Sequence, residues 1–186
     1  MERSLQIRTE TSFSLNFLVY IQNIFFNQDH MVEHYRFPYF PTKHAMFRDA
    51  FELRYQELWD EVSQRIATHP GNDIKIFKDE KDLFYQALFN SNSFEKYNEV
   101  HQAFNVWWES FAGHFSIERS VDEQVQNLYT DLANSLAKKE IRPQNDLNIK
   151  LIYDECQLGD LAMSANFAII PTKHFFSKYE EMIATL

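Results

Sequence analysis

Glycine is scarce in this chain: three in 186 residues. Phosphate-cradling loops and all-β folds with many tight turns both depend on glycine, so neither is expected. No Walker loop, dinucleotide fingerprint or G-x-S-x-G elbow occurs. Cysteine is scarcer still. Cys156 stands alone, so no intrachain disulfide can form, which fits a reducing compartment. There is no N-x-S/T acceptor site and no basic N-terminal stretch of the secretory kind. Long apolar runs are missing as well. The richest, Phe13 to Phe26, is broken by Asn16, Gln22 and Asn23 and is too short to span a bilayer. A cytoplasmic protein with no membrane association is the expectation.

Basic clusters are also absent. Net charge is −9, and the densest group, Lys138, Lys139, Arg142 and Lys150, straddles a helix end where lysines complement the helix dipole. A nucleic-acid footprint needs a basic face, so no nucleic-acid partner is expected. Hydrophobic residues at 45% and charged residues at 24% are those of a globular chain, not a disordered one.

What the chain has in abundance is aromatic rings: 18 Phe, 9 Tyr and 3 Trp. Phe94, Tyr97, His101, Phe104, Trp108, Phe111 and Phe115 recur at alternating steps of three and four, one stripe of a helix. The same periodicity predicts helices over about Ser14–Asn27, from a Thr42 cap to about Thr68, and from an Asp79 cap to near Asn90. Asn92 with Glu95, and Ser120 with Glu123, have capping-box spacing. Val121, Val125, Leu128, Leu132 and Leu136 form the inner face of the helix after Ser120. Leu5, Ile7 and Thr9 alternate, as do Ile74 and Ile76, and both stretches read as short extended segments. Leu147 to Tyr153 and Met163 to Ile169 alternate around Gly159, which predicts a β-hairpin. Ile152, Ala168 and Ile170 make its ends two-sided, as if covered on both faces. Thr172 caps a last helix through Phe175, Tyr179, Met182 and Leu186.

The fold expected is therefore mostly α within an α+β class. It is a single-domain bundle of five to six helices over residues 1–186, with a C-terminal β-hairpin or small antiparallel sheet over 147–170. The hairpin and the helix after it could form a small subdomain. Pro-Thr-Lys-His occurs twice, at Pro41–His44 and Pro171–His174, each time at a helix start, but the flanks do not match and no repeat is inferred.

His30-Met31-Val32-Glu33-His34 fits the pattern H-x-x-E-H. These five residues resemble the signature of pitrilysin-type zinc peptidases. The resemblance implies His30 and His34 as zinc ligands and Glu33 as general base, with a distant third ligand. It extends no further along the chain, and the simpler reading is a helix end bearing two histidines. A broader metal reading joins His30 and His34 to His101, with His44 one turn before Phe47, in a three-His site for zinc or another divalent ion. That would be a metal-dependent hydrolase or transferase. A lone histidine on an apolar stripe is otherwise a core residue, and no cofactor is predicted.

Tyr35, Phe37, Tyr39 and Phe40 cluster in a proline-stiffened loop, and aromatics on a loop must fold onto the core or meet a partner. Trp107 and Trp108 point about 100° apart around their helix: Trp108 is on the stripe, and Trp107 beside it either widens the buried face or lines a pocket or partner surface. The function expected from these features is a non-enzymatic binding or regulatory module. It would hold an acidic, aromatic-rich surface or pocket against a protein partner or small apolar ligand. The metal-dependent enzyme and a structural homodimer are the alternatives.

Overall fold

The computed structural model describes residues 5–28, 36–40, 46–141, 146–164 and 166–185. Among them it is mostly helical, with nine helices and one four-stranded mixed sheet, more and shorter helices than the five to six expected. The described residues group into two compact units. One draws on Ser12–Ser110 and Cys156–Asp160, the other on Met1–Thr11, Phe111–Glu155 and Leu161–Leu186. No helix of the described residues is long and apolar enough to cross a membrane.

The first unit is helical: α1 (Phe13–Phe26), α2 (Phe51–Thr68), α3 (Asn72–Asp79), α4 (Lys81–Leu88) and α5 (Phe94–Trp108). Helix α1 is its axis. Every residue from Ser14 to Ile24 is buried, the pattern of a helix surrounded by others. Ser12 is its N-cap and accepts the amide of Leu15 at 3.1 Å. Phe17 meets the rings of Phe77, Phe84, Phe104 and His101 at 5.0–5.6 Å, so one side chain joins α1 to three neighbours.

Helix α2 starts at Phe51, not at Thr42. Phe47 lies instead in an extended bridge to Phe89, with the Arg48 amide donating to the Leu88 carbonyl at 3.0 Å. The aromatic stripe survives the change of backbone because Phe47 still packs on Phe51 at 4.7 Å. The segment around Ile74 is helical, not extended. Asp73, Ile76 and Phe77 are buried while Ile74 is exposed, which is helical spacing hidden under a chance alternation. Asp79 ends α3, and Glu80 stands at the start of α4 in its place.

The long stripe divides. Helix α5 ends at Trp108, where the Ser110 amide and hydroxyl both close onto the Trp107 carbonyl at 3.0 and 2.6 Å. Phe111 and Phe115 belong to the other unit, and Phe111 is 89% exposed. The cap of α5 is Ser93, without a side-chain bond, so the Asn92/Glu95 box does not form.

The second unit holds β1 (Ile7–Thr11), α6 (His114–Ser120), α7 (Asp122–Lys138), β2 (Leu147–Ile152), β3 (Met163–Ser164), β4 (Phe167–Pro171), α8 (His174–Ser177) and α9 (Tyr179–Thr185). The strand order is β1-β2-β4-β3. Strands β2 and β4, expected as a hairpin, are parallel neighbours, and only the two-residue β3 runs antiparallel to β4. Alternation reports a pleated strand but not its direction. The two-sided ends were the better clue: all of β4 and the last four residues of β2 are buried, as in parallel sheets. Strand β1 extends the sheet, parallel to β2. Lys150 on β2 is 2% exposed and pairs with Glu10, its register partner on β1.

Of the expected inner face, Leu128 and Leu132 on α7 and Val121 at its cap are buried, while Val125 and Leu136 are half-buried. The Ser120/Glu123 box does not form: Ser120 donates back to the Ile117 carbonyl and Val121 takes the cap position. Thr172 does not cap a helix either. Its amide continues the sheet ladder to the Ile152 carbonyl, and the final helix is split into α8 and α9, with Phe175 and Met182 buried.

Candidate functional site

The loop Arg36–Phe40 is held by the C-terminal end of α1. The Asn27 carboxamide donates to the Arg36 and Pro38 carbonyls at 2.6 and 3.0 Å and accepts from the Arg36 amide at 2.8 Å. One turn earlier, Asn23 donates to the Phe37 carbonyl at 2.9 Å. Two buried carboxamides thus satisfy the loop backbone, which frees its side chains to face elsewhere.

Phe37 lies against Trp107 at 4.8 Å and Tyr20 at 5.9 Å, while Tyr20 stacks on Trp107 at 5.9 Å and 24°. Tyr20 is buried, and that burial pushes its hydroxyl up to about 12. Phe37 keeps 38% of its surface in solvent, Tyr39 74% and Val106, next to Trp107 on α5, 76%. Trp107 and Phe40 are half-buried. Phe37, Trp107 and Tyr20 thus form an aromatic ledge whose loop backbone is held by Asn23 and Asn27. Of the aromatic residues singled out above, the structure joins Phe37 to Trp107, leaves Tyr39 exposed and removes Trp108 to the core. Trp108 is fully buried, stacked on Phe104 at 5.2 Å. Tyr35 lies outside the described residues. Tyr20, Val106, Asn23 and Asn27 were not anticipated. The available signal was the pair of asparagines one turn apart in an apolar run.

His101 faces inward as its stripe requires. Its ring stacks on Phe77 at 5.0 Å and 16° and meets Phe17 edge-on at 5.2 Å. The Asn105 carboxamide donates to Nδ1 at 3.0 Å, which assigns the ring proton to Nε2. Burial, and then the Lys81 charge, hold the imidazole below its ordinary value, with the Phe77 carbonyl acting weakly in the other direction. No group of three His, Cys, Asp or Glu side chains able to hold a metal is found among the described residues. His30, Glu33, His34 and His44 lie outside them, so His101 is the one metal candidate whose surroundings the structure gives.

Cys156 sits beside the Tyr55 hydroxyl at 3.6 Å, and burial pushes its thiol up to about 11. A thiol in that state is a poor nucleophile near neutral pH. In the sheet unit, Glu155 accepts from Lys173 at 2.8 Å and from His174 Nε2 at 3.2 Å. Lys173 chiefly, and His174 with it, hold the Glu155 carboxyl below its ordinary value. This is an ion-paired joint between the segments that follow β2 and β4. No protein family, curated protein or solved structure matches the chain.

Proposed function

We propose that the chain is a non-enzymatic binding module that engages a protein partner through the ledge of Phe37 and Trp107, with the exposed Tyr39 two residues along the chain from Phe37. One observation carries this reading: Phe37 remains partly in water although Asn23 and Asn27 pin its backbone and Trp107 backs its ring. Rigid aromatic side chains offer large contact area at little entropic cost, which is why they anchor interfaces. A protein partner suits the ledge better than a small apolar ligand, because Phe37 and Tyr39 both stand in solvent. The net charge of −9 favours a neutral or basic partner and works against two copies meeting face to face.

A photo-crosslinking residue in place of Tyr39, introduced into living source cells, tests the reading. One discrete cross-linked protein, lost when Trp107→Ala is added, is the expected result. A band at twice the chain's own mass would replace this reading with a homodimer. No discrete band from Tyr39 would sink both.

A further inference from the structure

Strand β1 ends the sheet on one side, with β2 as its only neighbour among the described strands. The Leu147 amide donates to the Gln6 carbonyl at 2.9 Å, and the register sets Ile7 beside Leu147. A parallel ladder in that register turns the backbone groups of Gln6, Arg8 and Glu10 toward β2. Those of Ile7, Thr9 and Thr11 turn to the open side. The Glu118 carboxylate takes the Thr11 amide at 3.0 Å and its hydroxyl at 2.9 Å, which closes that end of the edge. The outward amides and carbonyls of Ile7 and Thr9 meet no partner among the described residues. Such a row of open backbone groups is a template for another strand.

The side chains select which strand. Arg8 and Glu10 share one face of β1, one residue to either side of Thr9, and both are exposed. We propose that two copies of the chain join at this edge, β1 against β1, antiparallel, with Thr9 on the twofold axis. Thr9 then exchanges both backbone bonds with Thr9 of the second copy, and the Ile7 amide reaches the Thr11 carbonyl of the second copy. Arg8 stands directly opposite Glu10 of the second copy, and the symmetry makes this pair twice. Arg8 already bonds Asp146 at 3.1 Å, and Glu10 bonds Lys150. Charge therefore alternates in sign across the joint, from Lys150 to Glu10 to Arg8 of the second copy and on to its Asp146. Sliding the register by two residues sets Arg8 against Arg8 or Glu10 against Glu10, and like charges directly opposite are unfavourable. Sliding it by one mismatches the two faces. Charges on an edge discourage strands that do not answer them, and here the answering pattern is the strand's own. The net charge of −9 repels a second copy at long range, but salt screens that repulsion beyond about 8 Å, while the opposed pairs lie closer. No residue of the aromatic ledge takes part, so the two readings stand or fall independently.

The test is sedimentation equilibrium of the full chain over a wide range of concentration, with three variants alongside. The parent should associate reversibly from monomer to dimer and no further, since the pairing uses up the edge. R8E places a glutamate opposite Glu10 and should weaken the dimer by about tenfold or more. T9P removes an amide that faces away from β2, so the intrachain ladder keeps its bonds while the central pair of the joint is lost. It should be monomeric, with the parent's circular dichroism spectrum. Trp107→Ala should dimerise like the parent. A parent chain that stays monomeric at every concentration would overturn the proposal. So would a dimer unchanged in both R8E and T9P, and so would one lost in Trp107→Ala but kept in R8E, which would move self-association to the ledge.

Discussion

The carboxylate of Asp73 accepts the hydroxyl of Ser12 at 2.9 Å. It also accepts the amides of Phe13 and Ser14, both at 2.9 Å, while the Ser14 hydroxyl returns a bond to the Asp73 carbonyl at 2.8 Å. A residue in the first turn of α3 therefore caps α1, sixty positions away in the chain. The charge lies at the positive end of the α1 dipole, and Asp73 is 3% exposed.

Replacing Asp73 by Asn removes that charge and leaves at least one buried amide without an acceptor. The expected loss is about 1–3 kcal/mol, with a larger loss for Asp73→Ala. Urea unfolding should show a lower midpoint at unchanged slope. A change below about 0.5 kcal/mol would mean that the cap is not a stabilising contact.

His101 makes stability depend on pH with a definite sign. Its folded value lies below the ordinary 6.5, so the unfolded chain takes up the proton first as pH falls. The contribution is fully present above about pH 6.5 and declines below it until the folded value is passed. His101→Phe keeps the stack on Phe77 and removes the titration, so its stability curve between pH 7 and pH 5 should be flatter than the parent's. Parallel curves would disprove the assignment.

Gly159→Ala should destabilise the chain by about 1–3 kcal/mol, since the added methyl meets an indole held by its own hydrogen bond and not the loose end of a side chain. The Trp59 indole N–H resonance reports the displacement directly. An unshifted resonance would show that the loop yields and the ring does not.

A binding module without a metal centre should carry no stoichiometric metal after purification without a tag. Elemental analysis of the parent and His101→Ala decides the matter. About one divalent ion per parent chain, lost in the variant, would replace the proposed function with the metal-dependent reading built on His30, His34 and His101.

The helical unit was largely legible because its signals are local. Helix α1, Phe13–Phe26, lies within a residue at each end of the expected Ser14–Asn27, and the inward faces of α2 and α5 follow the three-and-four spacing. Periodicity failed where it was satisfied by two structures at once. Phe47 continues the α2 stripe from an extended bridge, and Phe111 continues the α5 stripe after that helix has stopped. Strand direction was invisible because the pleat alternates side chains identically in parallel and antiparallel pairs. The ledge was half legible. Phe37 and Trp107 stood out as aromatic surplus, but their meeting depends on Asn23 and Asn27, whose partners lie on a loop that no spacing rule connects to α1.

Lys150 and Glu10 are 140 positions apart, and the pairing of β1 with β2 spans a comparable stretch of chain. The intervening sequence contains all five helices of the helical unit. During synthesis the first strand therefore emerges long before its neighbour exists. It must wait, with its Ile7 and Thr9 side chains unpaired, until β2 has left the ribosome. Arg8 and Glu10 alternate with those residues and keep the waiting strand charged along one face, a safeguard against pairing with the wrong chain. Glu10, having guarded the strand in solution, is then the group that neutralises Lys150 when the sheet closes.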